Sequence, residues 1–226
     1  MTPDPVLTVS ELFYSIQGES SYTGYPCVFI RLSNCNLRCT YCDARYTYEE
    51  AGRKQPISEI LDFVRRYPVF LVEITGGEPL LQDGIYPFID QLLEMKKTVL
   101  LETNGSRNIK DVPNGVIKIM DLKCPDSGMS EHMELSNLAL LNHEDEIKFV
   151  ISSRKDYDWA VEMLQTHILD VQDLQVIRKR PKILFSPVTS CLAPPQLARW
   201  ISDDHLPVRL QLQLHATLWP DRERGV

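Results

Sequence analysis

The chain has 226 residues, 43% hydrophobic and 24% charged, with a net charge of −7 at pH 7. That length supports one well-buried core, and the acidic balance excludes a non-specific nucleic-acid binder, which would be basic. No run approaches the roughly 18 apolar residues of a membrane span, and the start, with Pro3, Asp4 and Pro5, lacks the basic and apolar segments of a secretion signal. Six cysteines, three of them clustered, do not form a secreted disulfide framework, so a reducing cytoplasm is the expected location.

Alternation predicts a first strand over 7–14, closed by Leu12, Phe13 and Tyr14. A polar loop follows through Ile16, Gln17, Gly18 and Glu19. Residues 27–32 read CVFIRL, a buried strand carrying one charge, Arg31, near its end; the cysteine loop begins at once. Ser58 is placed to cap a helix over 58–66, with Ile60, Leu61 and Val64 on one face. A strand over 69–75 ends at Gly76-Gly77, and an amphipathic helix over 85–96 turns Phe88, Ile89, Leu92 and Leu93 inward. Further strands are predicted over 98–102, 116–121, 146–151 and 182–185, with helices over 155–169 and 194–202. On a last strand over 208–214, Leu210, Leu212 and Leu214 alternate with Gln211 and Gln213, which puts His215 on one face with two glutamines. With no repeat or linker, residues 1–226 form one domain. Strands alternating with helices imply an α/β fold of parallel βαβ units. Polar and glycine-rich motifs repeatedly follow strands, as at the active-site edge of a β/α barrel. The strand count falls short of eight full repeats, so the expectation is a partial, open β/α barrel.

Cys35, Cys39 and Cys42 stand in the pattern C-x3-C-x2-C. Thiolates are soft ligands that favour zinc, Cu(I) or iron–sulfur clusters. A structural zinc wants four protein ligands, yet Cys27 lies in an apolar strand and the first histidine is His132. Three ligands suit a 4Fe–4S cluster with one iron open to a substrate; on spacing alone, a zinc loop completed from afar and three unrelated thiols stay open.

C-x3-C-x2-C with Tyr41 before its last cysteine resembles the radical S-adenosylmethionine (SAM) signature, and Thr75-Gly76-Gly77-Glu78-Pro79 is similar to the motif with which that superfamily holds the amino end of SAM. The resemblance implies a partial barrel of the radical SAM type, a 4Fe–4S cluster on Cys35, Cys39 and Cys42, and reductive cleavage of SAM to a 5′-deoxyadenosyl radical. Ile16-Gln17-Gly18-Glu19, with Arg31 between it and the cluster, further resembles the 7-carboxy-7-deazaguanine synthase family, as do Asp121-Leu122-Lys123-Cys124-Pro125, Gln213-Leu214-His215 and the tail to Val226. That resemblance implies conversion of 6-carboxy-5,6,7,8-tetrahydropterin to 7-carboxy-7-deazaguanine with loss of ammonia, in 7-deazapurine (queuosine) biosynthesis. It assigns substrate contacts to Ile16, Gln17, Gly18, Glu19, Arg31, Thr75 and His215, and SAM contacts to Tyr41, Asp43, Gly77, Glu78, Asp121, Lys123 and Ser186. It also implies a flavodoxin or ferredoxin as electron donor, a homodimer, and Mg²⁺ held by a hydroxyl two residues after the last cluster cysteine. Here that position is Ala44, which has no side-chain oxygen. The competing readings are an activating enzyme that installs a glycyl radical on a partner protein, and a non-catalytic iron–sulfur or zinc protein.

Overall fold

Nine strands form one sheet in the order β3-β1-β2-β4-β5-β6-β7-β8-β9 in a computed structural model that describes residues 4–168 and 180–226. β1 (Val6–Ile16) and β3 (Arg53–Pro56) make an antiparallel edge. From β2 (Pro26–Leu32) the sheet runs parallel through β4 (Leu71–Gly76), β5 (Thr98–Thr103), β6 (Val116–Asp121), β7 (Glu146–Ile151), β8 (Lys182–Pro187) and β9 (Arg209–Leu210). The helices are α1 (Tyr46–Glu49), α2 (Ile57–Arg65), α3 (Ile85–Glu94), α4 (Arg154–Met163), α5 (Pro194–Asp203) and α6 (Leu214–Leu218). Strict strand–helix alternation fails in the middle: β5 to β6 and β6 to β7 are joined without an α-helix. Among the described residues no helix is long and apolar enough to cross a membrane.

Packing follows the period of each element. Ile57, Ile60, Leu61 and Val64 of α2 and Ile85, Phe88, Ile89 and Leu92 of α3 recur at helical spacing and cover the outer face of the first strands. Tyr157, Ala160 and Leu197 of α4 and α5 cover β7 and β8 through Phe149 and Phe185. The alternate residues point inside, where Phe13, Cys27, Phe29, Leu71, Leu100, Ile117 and Ile119 make an apolar inner layer. The sheet curls without closing. Laid flat, β1 and β9 would lie roughly 34 Å apart at ~4.8 Å per strand, yet the Leu214 N–H donates to the Gly18 carbonyl at 2.9 Å. The open, partial barrel is the architecture present.

Three local expectations need correction. Ser58 is not the cap of α2: Pro56 holds that position, and the Ser58 hydroxyl donates to Asp4 at 2.6 Å. The helix from 155 is α-helical only to Met163 and continues as a π-turn, Leu164–Ile168; its predicted end at Leu169 lies outside the described residues. The last strand is two residues long, and His215 sits in α6 rather than on a strand face.

Candidate active site

Gly77 explains how two motifs about 35 residues apart share one site. A Cβ there would stand 1.9 Å from the Asn34 carbonyl oxygen, and one on Gly76 would stand 2.2 Å from that of Leu32. The turn after β4 therefore presses its backbone against the root of the cysteine loop. The Gly77 N–H donates to Leu32 O at 3.0 Å and the Glu78 N–H to Asn34 O at 2.8 Å. Read from sequence, the glycines pointed to a ligand; packing of chain on chain requires them first.

Glu78 follows the two glycines directly. It is fully buried, and its carboxylate accepts from the Leu80 and Asn104 backbone amides and from the Thr103 hydroxyl at 2.7–3.0 Å. These bonds tie the turn after β4 to the end of β5. Asn104, in turn, donates to Cys35 Sγ at 3.6 Å and to Asn36 at 3.2 Å, bracing the cysteine loop from β5. Tyr41 reaches across to β7, its hydroxyl donating to Val150 O at 3.0 Å.

A cavity of about 440 Å³ opens at the carboxyl ends of the parallel strands, where β/α folds build their sites. Every residue predicted for the site lines it except Glu78 and Ser186. Ser186 is buried on β8, next to Pro187, which does line the cavity. Arg31 is held by Glu11, Nε to Oε1 at 2.8 Å; Glu11 also accepts from Tyr46 and from the Gly225 N–H. Gly18 packs closely on His215: a Cβ there would stand 2.6 Å from its Nδ1 and 3.1 Å from its backbone nitrogen.

The floor of the cavity is a charged network that spans the barrel. Lys148 of β7 pairs with Glu102 of β5 and, at 2.9 Å, with Glu19, while Asp121 stands 3.7 Å away. Glu102 also accepts from the Thr75 hydroxyl at 2.7 Å, and Glu19 from Gln213 at 2.8 Å and Gln211 at 3.3 Å. Lys123 pairs with Asp121 at 2.8 Å. Burial alone would lower the Lys148 pKa, but Glu102, Glu19 and Asp121 raise it well above the ordinary value. Burial would likewise raise Glu102, and Lys148 pulls it below the usual carboxylate range.

Sequence reading missed Glu73, Glu102, Asn104 and Lys148. The signal was present for three of them: an ionisable residue within or at the end of a largely apolar strand (Glu73 in LVEIT, Glu102 in TVLLE, Lys148 beside Glu146 in EIKFVI), akin to the pattern that singled out Arg31. What the strings could not tell is which neighbours those charges meet.

The three thiols line the same cavity, and burial raises the pKa values of Cys39, to about 11, and Cys42. Among the described residues no three His, Cys, Asp or Glu side chains converge as a single metal ion would need. A cubane makes a different demand, because each of its cysteines meets a separate iron; a soft all-thiolate donor set on one loop fits it. Asp121 Oδ1, buried and without a hydrogen-bond partner, leaves an acceptor available to SAM in this cavity. Mg²⁺ fits less well, since position 44 offers no side-chain oxygen.

Comparison with known proteins agrees with this chemistry. The profile of the Radical SAM superfamily matches residues 29–120. A 7-carboxy-7-deazaguanine synthase of Koribacter versatilis is 44% identical over 97% of this chain and 100% of its own length. That of Chlorobaculum tepidum is 42% identical, with both chains covered completely. Among solved structures, QueE from Escherichia coli superimposes with a TM-score of 0.72 at 24% identity, over 93% of this chain and 95% of that one. Streptococcus suis SuiB bound to S-adenosylmethionine gives 0.55 at 15% identity, over 83% and 50%.

Proposed function

The chain belongs to the 7-carboxy-7-deazaguanine synthase family of radical SAM lyases, and on that premise we propose how its own residues serve the conversion of 6-carboxy-5,6,7,8-tetrahydropterin to 7-carboxy-7-deazaguanine. Cys35, Cys39 and Cys42 would hold the 4Fe–4S cluster, with SAM between them and the Gly77, Asp121 and Lys123 rim. Bound there, cluster and SAM together supply one-electron chemistry that removes a hydrogen atom from carbon.

The remaining residues bind and orient. Arg31 offers a guanidinium whose planar fork matches the pterin carboxylate, and Glu11 fixes its rotation from behind. Glu19 offers a carboxylate to the amino and N–H edge of the pterin. Thr75 and His215 close the sides. Lys148 keeps Glu102 ionised in a site that is otherwise poorly solvated, and it pairs with Glu19 as well. The observation that carries the reading is the convergence of the cysteine loop, Arg31 and the 16–19 turn on one cavity of small-molecule size. A glycyl-radical activating enzyme is not favoured, since it needs an open groove for a protein segment.

The same reading extends to the setting: one domain over the whole chain, in the cytoplasm, a flavodoxin- or ferredoxin-like donor, and a homodimer. No step is assigned to Mg²⁺. Anaerobic reconstitution should give about four irons and four sulfides per chain. With SAM, dithionite and carboxytetrahydropterin, the product should be 7-carboxy-7-deazaguanine. Replacing any one of the three cysteines by Ala should abolish SAM cleavage. Stoichiometric zinc without iron-dependent visible absorption would sink the assignment.

A further inference from the structure

Glu73 stands at the border between the apolar inner layer of the barrel and the charged cavity, which it helps to line. On β4 it registers with Phe29 of β2 and Leu100 of β5, both in the inner apolar layer, and it is 6% exposed. An ionised carboxylate in such a layer is costly unless it is partnered or neutralised. Its partner is Gln17, whose Nε2 donates to Glu73 Oε2. The other end of that amide, Oε1, accepts the Glu19 backbone N–H at 3.0 Å. Only the oxygen can accept that N–H, so the amide has one orientation and its nitrogen must face Glu73. The Gln17 backbone is closed as well, its N–H to Tyr25 O and its carbonyl to the Gly24 N–H, each at 2.8 Å. Gln17 is 2% exposed and engaged at both ends of its amide, which makes it a strut between β4 and the turn that presents Glu19.

We propose that Glu73 is a positioning residue: through the Gln17 amide it sets the 16–19 turn and the Glu19 carboxylate against which the pterin edge docks. The inference rests on the pterin reading of the cavity. The ionisable groups facing Glu73 are Glu102 on β5, Glu19 on the turn, Lys148 on β7 and the Cys27 thiol on β2. Burial first, then the charges of Glu102 and Glu19, push the Glu73 carboxyl up to about 8 against the pull of Gln17 and Lys148. Glu73 is therefore neutral at neutral pH, and Lys148 has only the other carboxylates to balance. Ionisation above that value adds a negative charge beside Glu19 and Glu102, repels both and loosens the turn.

The experiment titrates carboxytetrahydropterin into the reconstituted protein anaerobically and measures SAM cleavage without substrate beside it. Glu73→Gln keeps an acceptor for Gln17 and cannot ionise. It should bind within about threefold of wild type at neutral pH and keep that affinity to about pH 9, where wild type weakens about tenfold. Glu73→Leu should weaken binding about tenfold at neutral pH, in KM more than in kcat, with iron content and uncoupled SAM cleavage unchanged. Wild-type affinity in Glu73→Leu, or a wild-type pH fall in Glu73→Gln, overturns the assignment. If wild type itself neither binds nor turns over carboxytetrahydropterin, the pterin reading has failed instead. Amide hydrogen exchange of the 16–19 turn then tests Glu73 directly: Glu73→Leu should speed it and Glu73→Gln should not, and equal rates in all three overturn the proposal.

Discussion

Two buried lysines on neighbouring parallel strands, Lys118 of β6 and Lys148 of β7, have opposite surroundings. Lys118 makes its ion pair with Asp145, Nζ to Oδ2 at 3.1 Å, and also donates to the Val116 carbonyl; Asp145 is completed by the Lys118 and Asn142 backbone amides at 2.8 Å each. The pair is balanced and lies away from the cavity. Lys148 instead is shared among Glu102, Glu19 and Asp121, and each of these also serves Thr75, Gln213 or Lys123. Negative charge exceeds positive there, and the group lines the cavity. A closed, matched ion pair holds strands together; an unmatched network facing a cavity is arranged for something that arrives.

The largest effect should separate the two lysines. Lys148→Met leaves several carboxylates close together without their cation, which should cost about 3–5 kcal/mol of stability and at least about a hundredfold in turnover of the folded enzyme. Lys118→Met should cost a similar amount of stability and leave KM and kcat of the folded protein as they were. Denaturant melts with steady-state kinetics decide this; equal loss of turnover in both variants would break the comparison.

Arg31 sharpens it, having one carboxylate partner like Lys118 but facing the cavity like Lys148. Losing a charge-assisted contact costs roughly 1.5–3 kcal/mol per hydrogen bond when the partner stays buried. Arg31→Ala should thus weaken carboxytetrahydropterin binding by about tenfold to several hundredfold, while uncoupled SAM cleavage survives. Unchanged affinity would mean that the carboxylate is held elsewhere.

Acid and base should act on the network in opposite directions. Glu102 is held below its ordinary range, so its stabilisation is present above that range and is lost as pH falls through the lowered value. Glu73 is held above its ordinary 4.5, so its contribution is present below 4.5 and is lost as pH rises to about 8. Chemical denaturation across pH should therefore show Glu73→Gln gaining on wild type between those two values and levelling beyond. Parallel curves would show that Glu73 does not carry the shift.

The smallest effect concerns Ala44, which lines the cavity without an oxygen. Ala44→Thr should make turnover more responsive to Mg²⁺, and superimposable Mg²⁺ titrations of the two proteins would count against it.

Much of this was legible in the chain itself. The cysteine spacing and the run of apolar strands each depend on neighbours close in sequence, so their chemistry could be read from residue types and periodicity. Arg31 stood out because a charge in an apolar strand needs a partner. Which partner it takes, Glu11, depends on the antiparallel pairing of β1 with β2, which places Glu11 opposite Arg31. The last strand was misjudged because alternation is a local pattern. After Leu210, Gln211 and Gln213 donate to Glu19 and the Leu214 N–H to Gly18 O, so the chain leaves the sheet edge to complete the cavity. For Glu78 the motif says that a carboxylate matters without saying what it faces; in the fold, three donors from the end of β5 and its own turn meet it. Lys148 among its carboxylates is the clearest case of what only tertiary structure decided. Its partners come from the turn after β1, from β5 and from β6, and they meet it only because the curled sheet brings those elements to one floor.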